Sequence, residues 1–573
     1  MPTKDWDNLK GEYIKFKVGY DHETAEADSS ANNIHITDDN RIVLNGVTFS
    51  ADLKTRYAYG IEWDVTQKTA DVVRIGDNYL HRTLPVQSQM RGCLLDDNGN
   101  VVEYLPDDDW TNSTRDGSKG QVMVELPEYW VLYETEGNIK RVWLSAVEIP
   151  GFKHVKKMYV SAYQAVLDRT NNKLCSIINE DPQYRGGSNI SALDGGYYSQ
   201  LGHPVSGYGM TRIKFRECAR KRNDSKTSEW NLYLYECHKT IFWFFVVEYA
   251  TRNSQLAYTS ELTSEGFHKG GLGGGVTQTW YLTWLGWLSY NSLCKCGYTD
   301  SFGNNTGCLE RIMNYEYDSV PTDRVDYTYS STRTYPKDFY LIARWHDYKL
   351  YRSKQETTGH TITETDYWEQ VDLYQGEYDS TVTYTKDQFV SSNDNLYMCL
   401  QECTGQSVTD TTYFKKQNRT ILQPNRYRGV ENPFGNFFLF TDGVNIRVSA
   451  NVSNGGDGRS KVYTCYDPSK FSDTAYTDYK YIGDLLRESK MIQDVIFGDD
   501  GDVIASTGGG SATTGFCDYN YAGIPSSGES LRALLVGGYA YDGSADGLAC
   551  VYSYLEPSGS DLHVGSRLCF RPE

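Results

Sequence analysis

From Tyr59 onward, apolar and polar residues alternate far more often than they recur at helical spacing. Tyr59-Gly-Ile-Glu-Trp-Asp-Val65 alternates in this way and predicts a half-buried strand. Val122 to Trp130, Val142 to Val147 and Lys157 to Tyr163 read likewise, and Asp96-Asp-Asn-Gly-Asn100 predicts a turn between Cys93-Leu-Leu95 and Val101-Val102. Ahead of these, His35 to Val47 holds two short strand patterns around Asp39-Asn40 and Asn45-Gly46, the second a hairpin signal. Helical spacing breaks in twice. Thr211 to Arg222 carries Phe215, Cys218 and Ala219 at i, i+3 and i+4, and Ser228 to Tyr249 carries Leu234, His238, Ile241, Phe245 and Glu248 along one face. The second segment ends in Ile-Phe-Trp-Phe-Phe-Val-Val, apolar on every side, which predicts a buried core helix. Strand patterns return at Tyr427 to Arg447, with Asp442-Gly443 expected to turn between two strands. Phe497-Gly-Asp-Asp-Gly-Asp-Val503 lacks the closing Glu of a calcium loop and predicts an Asp-Gly hairpin.

Between the helical segments and the late strands the chain repeats itself. Tyr329, Ser331, Thr332, Thr334, Tyr335, Lys337 and Asp338 recur 49 residues on as Tyr378, Ser380, Thr381, Thr383, Tyr384, Lys386 and Asp387. Gln355-Glu-Thr-Thr-Gly359 and Thr365-Asp-Tyr-Trp368 recur 46 residues on as Gln401-Glu-Cys-Thr-Gly405 and Thr411-Thr-Tyr-Phe414, so a middle loop is shorter in the second copy. Ser-Thr-x-x-Tyr, a strand, Leu-Tyr, then Gly and a late aromatic resembles the small carbohydrate-binding modules of chitinases and phage fibres. The resemblance makes Trp345, Tyr351 and Trp368 in the first copy, and Tyr397 and Phe414 in the second, candidates to stack on the flat C–H face of a pyranose. A place in each module's small core is the competing reading, favoured for Tyr351, Tyr397 and the Trp368/Phe414 pair.

Composition narrows the function classes. Lys and Arg total 56 against 75 Asp and Glu, a net charge of −19. With no basic run, this argues against nucleic acid and anionic membrane surfaces as partners. The 47 tyrosines, with abundant Gly and Thr, favour strands and turns. No apolar run reaches membrane-spanning length, and Met1 to Tyr13 has no signal-peptide core. The 13 cysteines fall at spacings that fit no common zinc pattern, so free thiols in a chain folded in the cytoplasm are expected, with a disulfide formed after release left open. Gly266 to Gly275 matches no phosphate-binding spacing and reads as a connector. His238 and Glu248 stand ten residues apart and read as a core-edge histidine and a helix-end ion pair rather than a catalytic or metal pair. No metal or cofactor site is expected.

Leu534 to Phe570 is unlike the rest. Small residues (Gly537, Gly538, Ala540, Gly543, Ala545, Gly547) interleave with Tyr539, Tyr541, Asp542, Ser544 and Asp546, and then follow Tyr552, Tyr554, Leu555, Ser558, Ser560, Leu562 and His563. Tyr supplies stiff, amphipathic contact area and Ser adaptable hydrogen bonds, the composition of a recognition surface. The competing reading is a glycine-rich β-meander.

Three blocks carry a resemblance. Gly435-Asn-Phe-Phe-Leu-Phe440, Arg532-Ala-Leu-Leu-Val-Gly-Gly538 and Val564-Gly-Ser-Arg-Leu-Cys-Phe570 resemble the core strands of the formylglycine-generating-enzyme type of C-type lectin fold. Within it, the chain is similar to variable proteins of diversity-generating retroelements, and more narrowly to phage tail receptor-binding proteins of gut bacteria, which carry Arg428-Gly-Val-Glu-Asn-Pro-Phe-Gly435 and end in Ser566-Arg-Leu-Cys-Phe570. In such proteins adenine-directed mutagenesis turns an Asn codon into Tyr, Asp, Ser, His, Leu or Gly, among others, and every interleaved residue above is reachable that way.

The resemblance implies an α+β, β-rich chain: an N-terminal β attachment region (1–55), a β-rich domain (56–150), two halves of a C-type lectin fold (151–320 and 421–573, with a variable region at 534–570), and the tandem modules (321–420) inserted between them. It implies a non-enzymatic receptor-binding protein at a phage tail tip, made in the host cytoplasm and carried in the virion, whose partners are a bacterial cell-surface protein or glycan and other tail proteins. A homotrimer suits a tail fibre, although no coiled-coil heptads accompany it. The alternatives are a sulfatase-modifying type of enzyme, for which Cys550 and Cys569 are the late candidates, and a host-encoded surface adhesin.

Overall fold

A computed structural model describes residues 53–187, 201–226, 228–276, 295–297, 299–301, 329–342, 350–371, 374–392, 395–417, 424–540 and 542–572, and the backbone of short strands at Ile34–Ile36, Ile42–Leu44, Val47–Phe49 and Val325–Asp326. Alternation becomes sheet almost throughout. The strand predicted at Tyr59 is Ala58–Asp64, which pairs antiparallel with Ile139–Ser145 inside a five-stranded sheet. A six-stranded sheet joins Arg91–Leu95, Gln121–Leu126 and Met158–Ser161 to Trp230–Leu232 and to the closing strand Leu568–Phe570. Near the N-terminus, Leu44 pairs with Val47 across Asn45-Gly46, as the hairpin signal requires.

The largest sheet has nine strands and is built from the C-terminal part. Its spine is Phe438–Ser449, flanked by Ser460–Thr464 and Glu529–Gly537, with Gly547–Tyr552, Tyr519–Tyr521, Lys490–Ile496 and Ile504–Gly508 beyond. Its two edges approach each other. The Leu485 N–H donates to the Ser460 carbonyl and the Leu486 N–H to the Ala505 carbonyl, both at 2.8 Å, so one dipeptide bonds to both sides and nearly closes a barrel. Closure removes exposed edge groups, which would otherwise pair with other chains.

Four α-helices stand among the described residues: α1 (Leu53–Tyr57), α2 (Asn78–Thr83), α3 (Arg212–Arg220) and α4 (Tyr235–Tyr249). Thr211 caps α3 by accepting the Lys214 N–H. Helix α4 is buried along almost its whole length, as its all-round apolar sequence requires, and Phe242 to Val247 pack among Tyr59, Trp63, Tyr129, Phe497 and Phe516 in the main core. That core draws on residues from Tyr59 to Cys569, so the early strands, the helices and the late sheet share one interior.

These findings correct the expected α+β organisation around a C-type lectin fold. The described chain is dominated by strands, its C-terminal part forms a nearly closed barrel-like sheet, and its closing strand Leu568–Phe570 lies in a different sheet between Trp230–Leu232 and Met158–Ser161. Trp230 to Leu232, expected as helix, is strand because it pairs with that closing segment, so the second helix begins only at Tyr235. Asp442-Gly443 is no turn either. The strand runs through it with a register shift, and Gly443 (φ 88°) lets the Cys465 carbonyl approach where a Cβ would sit.

The two repeats have one topology. Each has a four-stranded sheet, Val325–Asp326 with Tyr340–Ile342, Leu350–Ser353 and Trp368–Gln370 in the first, and Tyr374–Glu377 with Phe389–Ser392, Asn395–Cys399 and Phe414–Gln417 in the second. In both, the first strand runs parallel to the second and a short two-stranded ribbon flanks the sheet.

Candidate functional site

Phe438, 1% exposed, anchors a cluster of rings at one end of the large sheet. Tyr552 lies 4.6 Å from it between ring centroids, Tyr539 5.4 Å, Tyr521 5.7 Å and His563 5.8 Å. The cluster spreads outward through Tyr554, 5.1 Å from Tyr552, and Tyr519, 4.6 Å from Tyr521. Tyr519, Tyr521, Tyr539, Tyr552 and His563 are half-buried, and Tyr554 is 44% exposed. The result is a continuous, partly open aromatic face of edge and tilted contacts, the preferred geometry of ring pairs.

Local sequence sets each position. Tyr521 and Tyr552 are register partners on parallel strands, so their side chains stand side by side. Tyr539 follows two left-handed glycines, Gly537 (φ 92°) and Gly538 (φ 71°). A Cβ on Gly538 would run into the Asp546 carboxylate, so this turn requires glycine. His563 stands 2.9 Å from the Asp561 carboxylate and 4.6 Å from the Tyr539 ring.

Asp542, beside Tyr521 and His563, joins two buried carboxylates, Asp546 and Asp518. Burial pushes Asp542 up to about 6, against the Tyr521 hydroxyl and His563, which pull it down. Burial, then the charges of Asp542 and Asp518, hold Asp546 well above the usual carboxylate range. Burial holds Asp518 there too, although its carboxylate accepts the Ala549 N–H at 2.7 Å. Because Asp542 holds its proton more tightly folded than unfolded, its contribution is fully present below about pH 4 and is lost as pH rises through about 6. We expect the stability of the native chain to fall relative to Asp542→Asn between pH 4 and 7, by roughly 1–3 kcal/mol, in chemical denaturation across that window. Parallel curves for the two proteins would contradict this.

The sequence-predicted residues divide. Ser544, Tyr554 and Ser558 are exposed, and Tyr539, Asp542, Tyr552, Leu555, Ser560 and His563 are half-buried. Asp546 and Leu562 are buried. Tyr541 lies outside the described residues. Sequence reasoning missed Tyr519 and Tyr521, although the alternating Tyr519-Asn-Tyr521 marks two rings on one strand face, and it missed Phe438 as their anchor.

Of the sugar-platform candidates, Trp368 and Phe414 are each 1% exposed and fill equivalent places in the two module cores. Trp368 also donates its indole N–H to the His360 carbonyl. Neither offers a ring face. Tyr351 and Tyr397 are half-buried against those same cores, and Trp345 lies outside the described residues.

Elsewhere, His238 is fully buried with the Tyr233 hydroxyl 3.3 Å from its Nδ1, and Glu248 pairs with Arg428 at 2.8 Å, so both serve the interior. Cys550 and Cys569 are fully buried, and burial pushes the Cys550 thiol far up. No group of three or more His, Cys, Asp or Glu side chains is placed to hold a metal ion among the described residues. Among the same residues no helix is long and apolar enough to cross a membrane. Comparison with protein-family models and with curated proteins returns no match.

Proposed function

We propose that the chain is an adhesion protein of a phage tail tip, whose C-terminal aromatic face binds a protein or glycan on the bacterial surface. The observation that carries the reading is the gathering of Tyr539, Tyr552, Tyr554 and His563, all from one short segment, with Tyr519 and Tyr521 over a buried Phe438. Rings held at fixed spacing on a rigid sheet lose little conformational freedom when a ligand covers them, which suits them as anchors. Ser544, Ser558 and Ser560 around them supply adaptable hydrogen bonds.

On this reading the segment is the variable region of a diversity-generating retroelement. Its glycines, and the buried Leu534, Leu535, Val536, Leu548 and Val551, form the constant part, and its open positions change. The tandem modules would add weak contacts that gain strength through effective concentration on a virion carrying several copies. Other tail proteins, or two further copies of this chain, would complete the tip.

The test is adsorption of the purified chain to cells of a susceptible strain. Tyr554→Ala should leave unfolding within about 1 kcal/mol of the native chain, because the residue is 44% exposed at the edge of the cluster. The double substitution Tyr552→Ala/Tyr554→Ala should weaken adsorption about tenfold or more. Unchanged adsorption by that variant, still folded, would contradict the proposal.

A further inference from the structure

The two modules match bond for bond. Thr334 and Thr358 hydroxyls meet at 2.8 Å in the first, as Thr383 and Thr404 do at 2.7 Å in the second. Asp338 and Asp387 both take positive φ, and their N–H groups donate to the carbonyls of Ser353 and Cys399 respectively. On this shared frame two neighbouring buried polar positions differ together. Ser353 and Thr357 in the first module are replaced by Cys399 and Cys403 in the second, and none of the four is more than 6% exposed. Ser353 accepts the Phe339 N–H and donates to the Pro336 carbonyl, so its hydroxyl is used locally. In the second module the Cys399 thiol donates to the Gln401 carbonyl at 2.9 Å, and its sulfur also faces that of Cys403 at 3.9 Å.

We propose that Cys399 and Cys403 form a disulfide when the folded chain meets an oxidant, cross-linking the strand Asn395–Cys399 to the ribbon strand Cys403–Thr404. Van der Waals contact between sulfurs is the starting geometry for a bond of about 2.05 Å, and the remaining approach of about 2 Å is within reach of side-chain rotation on a short loop. Both members of the touching pair are changed together relative to the other module. With oxidised glutathione as oxidant, one protein thiolate attacks its disulfide and releases one glutathione thiolate. The second protein thiolate then displaces the other glutathione, so two electrons pass to glutathione and each protein thiol gives up its proton. Burial, and then the neighbouring thiol, push Cys399 up to about 12, so its own thiolate is scarce.

The full chain, equilibrated with oxidised glutathione under native conditions, is alkylated after denaturation and cut with trypsin. The peptide 387–415 holds both residues and has no internal Lys or Arg. It should be unalkylated, two hydrogens lighter than its reduced form, and restored by reductant. The double substitution Cys399→Ser/Cys403→Thr installs the first module's own pair, so it should fold. Oxidation should raise the unfolding temperature of the native chain and leave that variant's unchanged. Recovery of both cysteines alkylated, or of a stable glutathione adduct on one of them, would overturn the proposal.

Discussion

Replacing Arg216 by Ala should destabilise the chain by about 3–5 kcal/mol, the usual cost of leaving a buried carboxylate without its partner. Arg216 lies on α3 and reaches Asp442 in the spine strand through Nε at 2.5 Å and Nη2 at 2.8 Å. Asp442 is 1% exposed, and Arg216 also pairs with Asp473, which Arg212 holds from the same helix. Burial works against the charge on Asp442, but Arg216, with smaller help from Arg212 and the Gly443 N–H, outweighs it and keeps the carboxyl below its ordinary range. Without that guanidinium the folded state must bury an uncompensated charge or take up a proton. Asp442 sits in the register shift between Phe440 and Asn445, so the ion pair also pins α3 to the irregular part of the strand that begins at Phe438. Chemical denaturation of Arg216→Ala at neutral pH measures the loss. Part of it should return on acidification, as Asp442 is neutralised. A change under about 1 kcal/mol would mean that solvent reaches Asp442 freely.

Trp243→Ala should cost about as much, roughly 3–5 kcal/mol, by a different route. Trp243 is fully buried in the middle of α4, 5.7 Å from Trp63 in a stacked arrangement and 5.7 Å from Phe497 edge-on. Its indole N–H donates to the Gly501 carbonyl at 2.7 Å. Truncation removes this packing, opens a cavity and strips the carbonyl of its donor, and the close-packed surroundings leave little room to collapse. Trp243→Phe keeps a six-membered aromatic ring and loses the pyrrole ring with its N–H, so it should retain more of the stability than Trp243→Ala does. Equal losses in both variants would place the effect in the hydrogen bond rather than the packing.

What the sequence reveals here is what is local. The repeat is legible because each module folds through neighbours in the chain, and the structure gives both copies the same strand order. Helix α4 is legible because an all-round apolar segment of its length has nowhere to go but the interior. Trp230 to Leu232 is misread because its partner, Leu568–Phe570, lies at the far end of the chain, and no local pattern announces that pairing. Asp442-Gly443 has turn chemistry, yet Arg216 and the Cys465 carbonyl hold it inside a continuous strand. The same limit applies at the site. The frame of small residues marks a displayed segment without ranking its members: Tyr554, Asp546 and Leu562 all lie just outside regular strands, where alternation no longer defines two faces, and Tyr554 is exposed while the other two are buried. Tyr519 and Tyr521 join the face through a parallel pairing with Gly547–Tyr552 that sequence spacing cannot show.

The central claim is that an unvarying sheet carries a surface whose side chains change. Deep sequencing of the 534–570 coding region, from many copies of the genome that carries it, tests this most directly. The claim predicts substitutions traceable to adenines and concentrated at open or half-open positions such as 539, 544, 552, 554 and 558, with Gly537, Gly538, Leu548 and Val551 constant. Substitutions spread evenly over buried and open codons, or no excess over the rest of the gene, would contradict it.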